Sequence, residues 1–151
     1  MSSMKEKQPS SLGAVRHDLL ARYSVNNLEC AENFDVVVQD HVHDFEPEGG
    51  VQEGFIEEMA SAYWRMRRLS AIENCMMNQA IDNTPPDDTG INRITEAFSS
   101  LAGTSKYNRL NIYEDCLHRR YHRTFRSMLT LSEYRRRKAR IKKQEEEANP
   151  A

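Results

Sequence analysis

Residues 52–81 read QEGFIEEMASAYWRMRRLSAIENCMMNQAI, and this stretch decides the fold. Apolar side chains recur in it every three or four residues, at Phe55, Ile56, Met59, Tyr63, Met66, Leu69 or Ser70, Ala71 or Ile72, and Met76. That spacing predicts one amphipathic helix, with acidic residues near the end where the helix dipole favours them. The loop that begins at Asp82 contains Pro85 and Pro86 and ends the helix. About 30 residues give a rod of about 45 Å.

A second long helix is predicted from Thr104 or Ser105 to about residue 140. Its apolar positions also recur every three or four residues, at Tyr107, Leu110, Tyr113, Leu117, Tyr121, Phe125 and Met128. Beyond Leu131 this stripe fades, which indicates that the helix leaves the core there. Shorter stripes predict helices at 31–45 and 91–101, and a short helix or turn at 11–23.

These patterns predict an all-α fold. Two long apolar stripes cannot bury themselves alone, so we expect a long antiparallel helical hairpin with the shorter helices packed against it in a small bundle. A basic C-terminal helix extension follows. The expected organisation is a disordered tail at 1–11, a helical domain at 12–131, and a charged helical extension or disordered tail at 132–151.

Charge is distributed unevenly along the 151 residues, although the formal net charge is only −2. Residues 1–60 hold twelve acidic and four basic side chains, a net charge of −8. Residues 116–144 hold eleven basic side chains and one acidic side chain, Glu133, a net charge of +10. Such an asymmetry bears on binding partners and on electrostatic steering.

Several sequence features indicate a soluble, cytoplasmic protein. The first eleven residues are polar and lack the apolar segment of a secretory signal peptide. No apolar run approaches the length that spans a bilayer, so we expect no membrane partner. The three cysteines, Cys30, Cys75 and Cys116, are widely spaced and form no CxxC pair. They are therefore expected to be reduced thiols.

The basic segment is the main candidate for a binding site. Arginines interleaved with aromatic residues are typical of proteins that hold phosphates with guanidinium groups. The predicted nucleic-acid-binding residues are Arg119, Arg120, Arg123, Arg126, Arg135, Arg136, Arg137, Lys138, Arg140, Lys142 and Lys143. A possible secondary basic patch contains Arg65, Arg67 and Arg68. The aromatic residues Tyr113, Tyr121 and Phe125 are interpreted as core. Neutralisation of the basic segment by the acidic half of the same chain is the rival explanation.

Catalytic and metal sites are not expected, and neither is a cofactor. His118 and His122 are four residues apart on a predicted helix, but they lack the glutamate of an HExxH zinc site, and neighbouring arginines repel a cation. The segment Asp40-His41-Val42-His43-Asp44 is interpreted as a surface acidic patch, because its two histidines point to different sides of a helix. No nucleophile motif or phosphate-binding glycine loop is present, so we expect a non-enzymatic protein.

Four segments resemble a family of all-helical bacterial proteins with no established activity, whose members open with an N-A-x-[KR]-H-G-L-x-A-R motif. The segments are GAVRHDLLAR at 13–22, FEPEGGVQE at 45–53, WRMRRL at 64–69 followed by IE at 72–73, and YEDCLHRRYHR at 113–123. The opening motif is degenerate here, because Gly13 replaces the family's Asn and Asp18 its Gly. Similar openings occur in phage and mobile-element proteins, and by analogy the resemblance favours an association with nucleic acid.

The charge and the resemblance together predict a non-enzymatic protein that binds, or is associated with, DNA or RNA through its basic C-terminal helix. The alternative is a protein–protein interaction or scaffold module without nucleic acid. In that case the long helices would dock a partner or self-associate, as in a coiled coil.

Overall fold

The computed structural model describes residues 20–21, 23–86 and 89–148, and no strand occurs among them. Four helices lie wholly within these residues: α1 (Ala31–Phe45), α2 (Gly50–Asp82), α3 (Gly90–Ala102) and α4 (Ser105–Ala148). The all-α prediction is therefore confirmed. Leu20, Ala21, Tyr23 and Ser24 are also helical, whereas the rest of the helix expected at 11–23 and the tail expected at 1–11 lie outside the described residues.

Helices α2 and α4 form the predicted antiparallel hairpin. The start of α2 lies beside the middle of α4, where the Gln52 side-chain amide donates to the Ser132 hydroxyl at 3.0 Å. At the other end, the Tyr107 hydroxyl donates to the Glu73 carboxylate at 2.8 Å. An apolar cluster of Leu69, Leu110 and Leu117 joins the two helices, with Met66 and Met76 packed against it. Burial of this seam is the main force that holds the two rods together.

Helix α1 packs across one flank of the hairpin. Phe34, Val37 and Val38 are buried against Ala60 of α2, and the Phe34 ring meets Trp64 edge to face at 5.6 Å. At the end of α1, the Phe45 ring meets Phe125 of α4 at 5.7 Å. Helix α1 therefore contacts both long helices and closes one side of the bundle, as expected.

The buried stripe of α1 includes His41, so the prediction that the segment 40–44 is a surface patch is wrong for this residue. His41 is buried, whereas Val42, which was expected in the apolar stripe, is 36% exposed. The His41 Nδ1 lies 2.7 Å from the Val37 carbonyl oxygen, which can only accept, so Nδ1 carries the proton. The other ring nitrogen then accepts from the Tyr121 hydroxyl at 3.3 Å. The histidine is tolerated inside because both ring nitrogens are hydrogen-bonded.

The short helix α3 covers the opposite end of the hairpin. Its Ala97 is buried, and its Phe98 meets Tyr107 of α4 edge to face at 6.1 Å. Arg93 ties the start of α3 to the end of α2 by donating to the Ile81 carbonyl oxygen at 2.9 Å. Helix α3 leaves Ile91 and Ile94 of its apolar face largely exposed.

Helix α4 extends well beyond the bundle, as the predicted basic C-terminal extension. Where α4 passes the loop before α2, Arg135 donates to the Glu48 carbonyl oxygen. The thirteen residues from 136 to 148 are all exposed, and we call them the basic arm. The arm is rich in Arg, Lys, Gln, Glu and Ala, which favour helix, and it propagates from a helix that is already nucleated. The arm is about 20 Å long.

Candidate nucleic-acid interface

The basic arm carries six of the predicted nucleic-acid-binding residues within eight positions: Arg136, Arg137, Lys138, Arg140, Lys142 and Lys143. Three of them form ion pairs one turn away on the same helix, Arg137 with Glu133 at 2.7 Å, Lys142 with Glu146 at 3.7 Å and Lys143 with Glu147 at 3.8 Å. All six of these side chains are at least 64% exposed. Exposed pairs of this kind contribute only about 0.3–0.5 kcal/mol each, so a phosphate can displace them.

The remaining cations of the arm are more accessible still. Within the described part of the chain, no salt bridge involves Arg136, Lys138 or Arg140. Arg135, at the base of the arm, is held by the Glu48 carbonyl oxygen and lies 3.8 Å from its carboxylate. Intramolecular ion pairs therefore involve Arg135 at the base and three of the six cations of the arm, and the pairs along the arm are exposed and weak.

The four arginines nearer the middle of α4 lie on its exposed sides. The seam with α2 is formed by other positions, among them Leu117 and Met128. Arg120 pairs with Glu58 of α2 at 3.6 Å, and both side chains are more than 40% exposed, so this ion pair is weak. Arg119 donates to the Cys116 sulfur at 3.2 Å. Arg123 and Arg126 are exposed and form no salt bridge within the described residues.

The three arginines predicted as a secondary patch each have neighbours outside α2. Arg68 faces the segment before α1, where it pairs with Glu29 at 2.6 Å. Arg67 lies on the α1 side, beside Tyr63 and Asp44. Arg65 donates to the Tyr23 carbonyl oxygen at 3.3 Å and lines a cleft together with residues of α4. Arg65 and Arg68 are three positions apart on one side of α2, and both contact residues 23–30, whereas Arg67 leaves the helix toward α1.

Arg68 has a structural partner that explains its position. The Glu29 carboxylate accepts from two guanidinium nitrogens of Arg68, both at 2.6 Å, from the Trp64 indole at 3.1 Å and from the Asn26 backbone at 2.9 Å. The hydrogen bond from Arg68, the largest cause, and those from Asn26 and Trp64 together lower the pKa of Glu29 from 4.5 to about 2, against the opposing effect of burial. This cluster fastens residues 23–30 to α2, so Arg68 is committed to the fold.

The Glu29 cluster should make the stability of the protein depend on acid pH. Because the folded-state pKa is lowered, the contribution is complete above pH 4.5 and is lost as pH falls toward 2. We expect Glu29→Gln to lower the free energy of unfolding by about 1–2 kcal/mol at pH 7, and by much less near pH 2.5. Urea denaturation at both pH values measures the difference. Glu58→Gln, which removes an exposed ion pair, should change stability by less than about 0.5 kcal/mol at pH 7.

A cleft of about 410 Å³ lies between α2 and α4 and brings four arginines together. Arg65 of α2 and Arg119, Arg120 and Arg123 of α4 line it, with Tyr113 and Leu117. We call it the arginine cleft. Tyr113 was expected in the core but is 46% exposed. The grouping unites members of both predicted patches, because the hairpin register places Arg65 opposite this part of α4.

His118 and His122 are exposed on α4. Within residues 20–21, 23–86 and 89–148, no three His, Cys, Asp or Glu side chains are arranged to hold a metal ion. The three cysteines are exposed free thiols. Among the helices described, none has both the length and the apolar character needed to cross a bilayer.

Comparison with known proteins adds no relative: no family model, curated protein or solved structure matches the chain. The arrangement presents many cations on one helix and offers anion binding as its main chemistry.

Proposed function

We propose that the protein binds nucleic acid without catalysis, through contacts between the basic side chains of α4 and the phosphate backbone. The observation that carries this proposal is the basic arm, which presents six cations in eight exposed positions that project beyond the bundle. Keeping these like charges on one helix costs repulsion that the fold does not need. A polyanion relieves that repulsion and gains entropy from released counterions.

The resemblance to the all-helical bacterial family supports this proposal by analogy. It adds an association with mobile elements, by analogy with the openings of phage and mobile-element proteins. The exposed arginines of α4 extend the cationic surface from the arm toward the middle of the hairpin. Arg123 and Arg126 are the members of that surface without a salt bridge in the described residues.

Salt-dependent binding tests the proposal. Affinity for a DNA duplex and for a single-stranded RNA of equal length is measured between 50 and 300 mM salt by fluorescence anisotropy. We expect the logarithm of affinity for the duplex to fall with a slope of about −0.9 per phosphate contact. The Arg136→Ala, Arg140→Ala double variant should reduce the magnitude of that slope by about two.

The matched control removes the same charge from the other end of α4. Lys106 and Arg109 are exposed and distant from the arm, and the Lys106→Ala, Arg109→Ala variant should leave the slope unchanged. Absence of binding at 50 mM salt would overturn the proposal. Oligomers that grow with concentration and persist at high salt, together with no nucleic-acid binding, would favour the scaffold alternative.

A further inference from the structure

We infer that the arginine cleft is a second anion site that binds a single phosphate monoester carried by a nucleoside, independently of the basic arm. Four arginine side chains line it, one from α2 and three from α4. The nearest of these to the arm in sequence, Arg123, is thirteen residues before Arg136, or about 20 Å along the helix axis. The cleft and the arm therefore lie at different places along α4, and variants of the arm leave the four arginines of the cleft in place.

The charge of the arginine cleft is largely uncompensated. Glu58 is the carboxylate that pairs with one of its arginines, Arg120, at 3.6 Å in an exposed geometry. The other contacts are made to uncharged acceptors, the Tyr23 carbonyl oxygen for Arg65 and the Cys116 sulfur for Arg119. These contacts orient guanidinium groups without neutralising them. Charges of one sign gathered in a cleft concentrate the electric field and attract an anion.

The donors match a phosphate. A guanidinium group presents its N–H donors in a planar fork that binds two phosphate oxygens at once. A phosphate monoester carries a charge of about −1.5 to −2 at pH 7 and three acceptor oxygens, so several arginines can share it. Charge and geometry together favour a phosphate monoester over a carboxylate, which carries a single charge.

The remaining walls and the size of the cleft suit a nucleoside. The Tyr113 ring is 46% exposed beside the arginines, and Leu117 is buried at the cleft. An exposed aromatic ring among cations can stack a base while the cations hold the phosphate. The volume of about 410 Å³ is in the range of small-molecule sites. A cleft of this size between two helices admits one nucleotide but not a duplex.

Calorimetric titration of the full chain tests the inference, with AMP, adenosine and inorganic phosphate as probes. AMP should bind at least ten times more tightly than adenosine, and inorganic phosphate should compete with it. Arg123→Met should weaken AMP binding at least tenfold. Arg126→Met removes an exposed arginine that is not part of the cleft and should change it less than twofold. Tyr113→Ala should weaken AMP binding and leave phosphate binding unchanged.

Two further measurements are needed. One distinguishes a strand end from a free nucleotide as the ligand, and the other distinguishes binding at the cleft from binding at the basic arm. A 5′-phosphorylated single strand that binds more tightly than its 5′-hydroxyl counterpart would identify a strand end as the ligand, and equal binding would identify a free nucleotide. The Arg136→Ala, Arg140→Ala variant should bind AMP as tightly as the unchanged chain. The proposal that the arm binds nucleic acid can therefore be refuted without refuting the inference about the cleft. Equal affinity for AMP and adenosine, absent AMP binding, or equal effects of Arg123→Met and Arg126→Met would overturn the inference.

Discussion

Replacement of Phe34 by alanine is expected to lower the free energy of unfolding by about 3–5 kcal/mol. The Phe34 side chain is completely buried and packs between α1 and α2, with its ring edge to face with Trp64 at 5.6 Å. Its removal leaves a cavity and also abolishes the aromatic pair, which contributes about 0.5–1.5 kcal/mol. A domain of this size typically has 5–15 kcal/mol of stability, so the loss would be a large fraction of the total.

Urea denaturation measures this loss with two probes. Trp64 is the single tryptophan, so its fluorescence reports on the α1–α2 contact, while circular dichroism reports on all the helices. Val36→Ala is the matched control on the same helix, because Val36 is 58% exposed. It should change stability by less than about 0.5 kcal/mol, helped by the higher helix propensity of alanine. Similar losses for the two variants would contradict the packing of α1 described above.

The helices and their pairing could be predicted from the sequence because periodicity and breakers act locally. The bounds expected for α1, 31–45, are those observed, because Pro47 and Gly49 follow a continuous stripe. Helix α4 continues past the predicted limit of about 140 to Ala148. The apolar stripe fades there, but intrinsic propensity alone sustains the helix once the preceding turns exist.

Side-chain burial was less predictable, because a spacing of three or four leaves a choice between neighbouring positions. Both His41 and Val42 continue the helical spacing from Val37 and Val38 toward Phe45, and hydrophobicity favoured Val42. The structure buries His41, because Tyr121 and the Val37 carbonyl satisfy its ring. A long apolar stripe also drifts around a straight helix, which moves some members out of the contact. Ile72 and Tyr113, at 41% and 46% exposure, are such members.

The candidate site followed from the sequence only in part. Composition identified the cations of the basic arm, because a helix that is polar on every side exposes whatever it carries. The arginine cleft depends on the register between α2 and α4, which brings Arg65 beside Arg119, Arg120 and Arg123. The ion pair between Arg68 and Glu29 depends on how residues 23–30 pack against α2. Neither contact is encoded in local spacing.

Removal of residues 136–151 should reduce affinity for duplex DNA at least about a hundredfold at 0.1 M salt. Six basic side chains leave with the arm, and each phosphate contact contributes close to one logarithmic unit of affinity at that salt concentration. Stability should change by less than about 0.5 kcal/mol, because the described part of this segment is exposed and Arg135 with its Glu48 contact remains. Anisotropy and urea denaturation of the same preparation measure the two quantities.

A variant that makes the arm more positive, without shortening it, tests whether the arm binds DNA through its charge. Lys142 and Lys143 pair with Glu146 and Glu147. Changing Glu145, Glu146 and Glu147 to Gln should release both lysines and raise affinity, with the increase largest at low salt. A truncated chain that binds DNA within threefold of the full chain would place the interface elsewhere. If the glutamine variant bound no more tightly, the arm would be acting through something other than its charge.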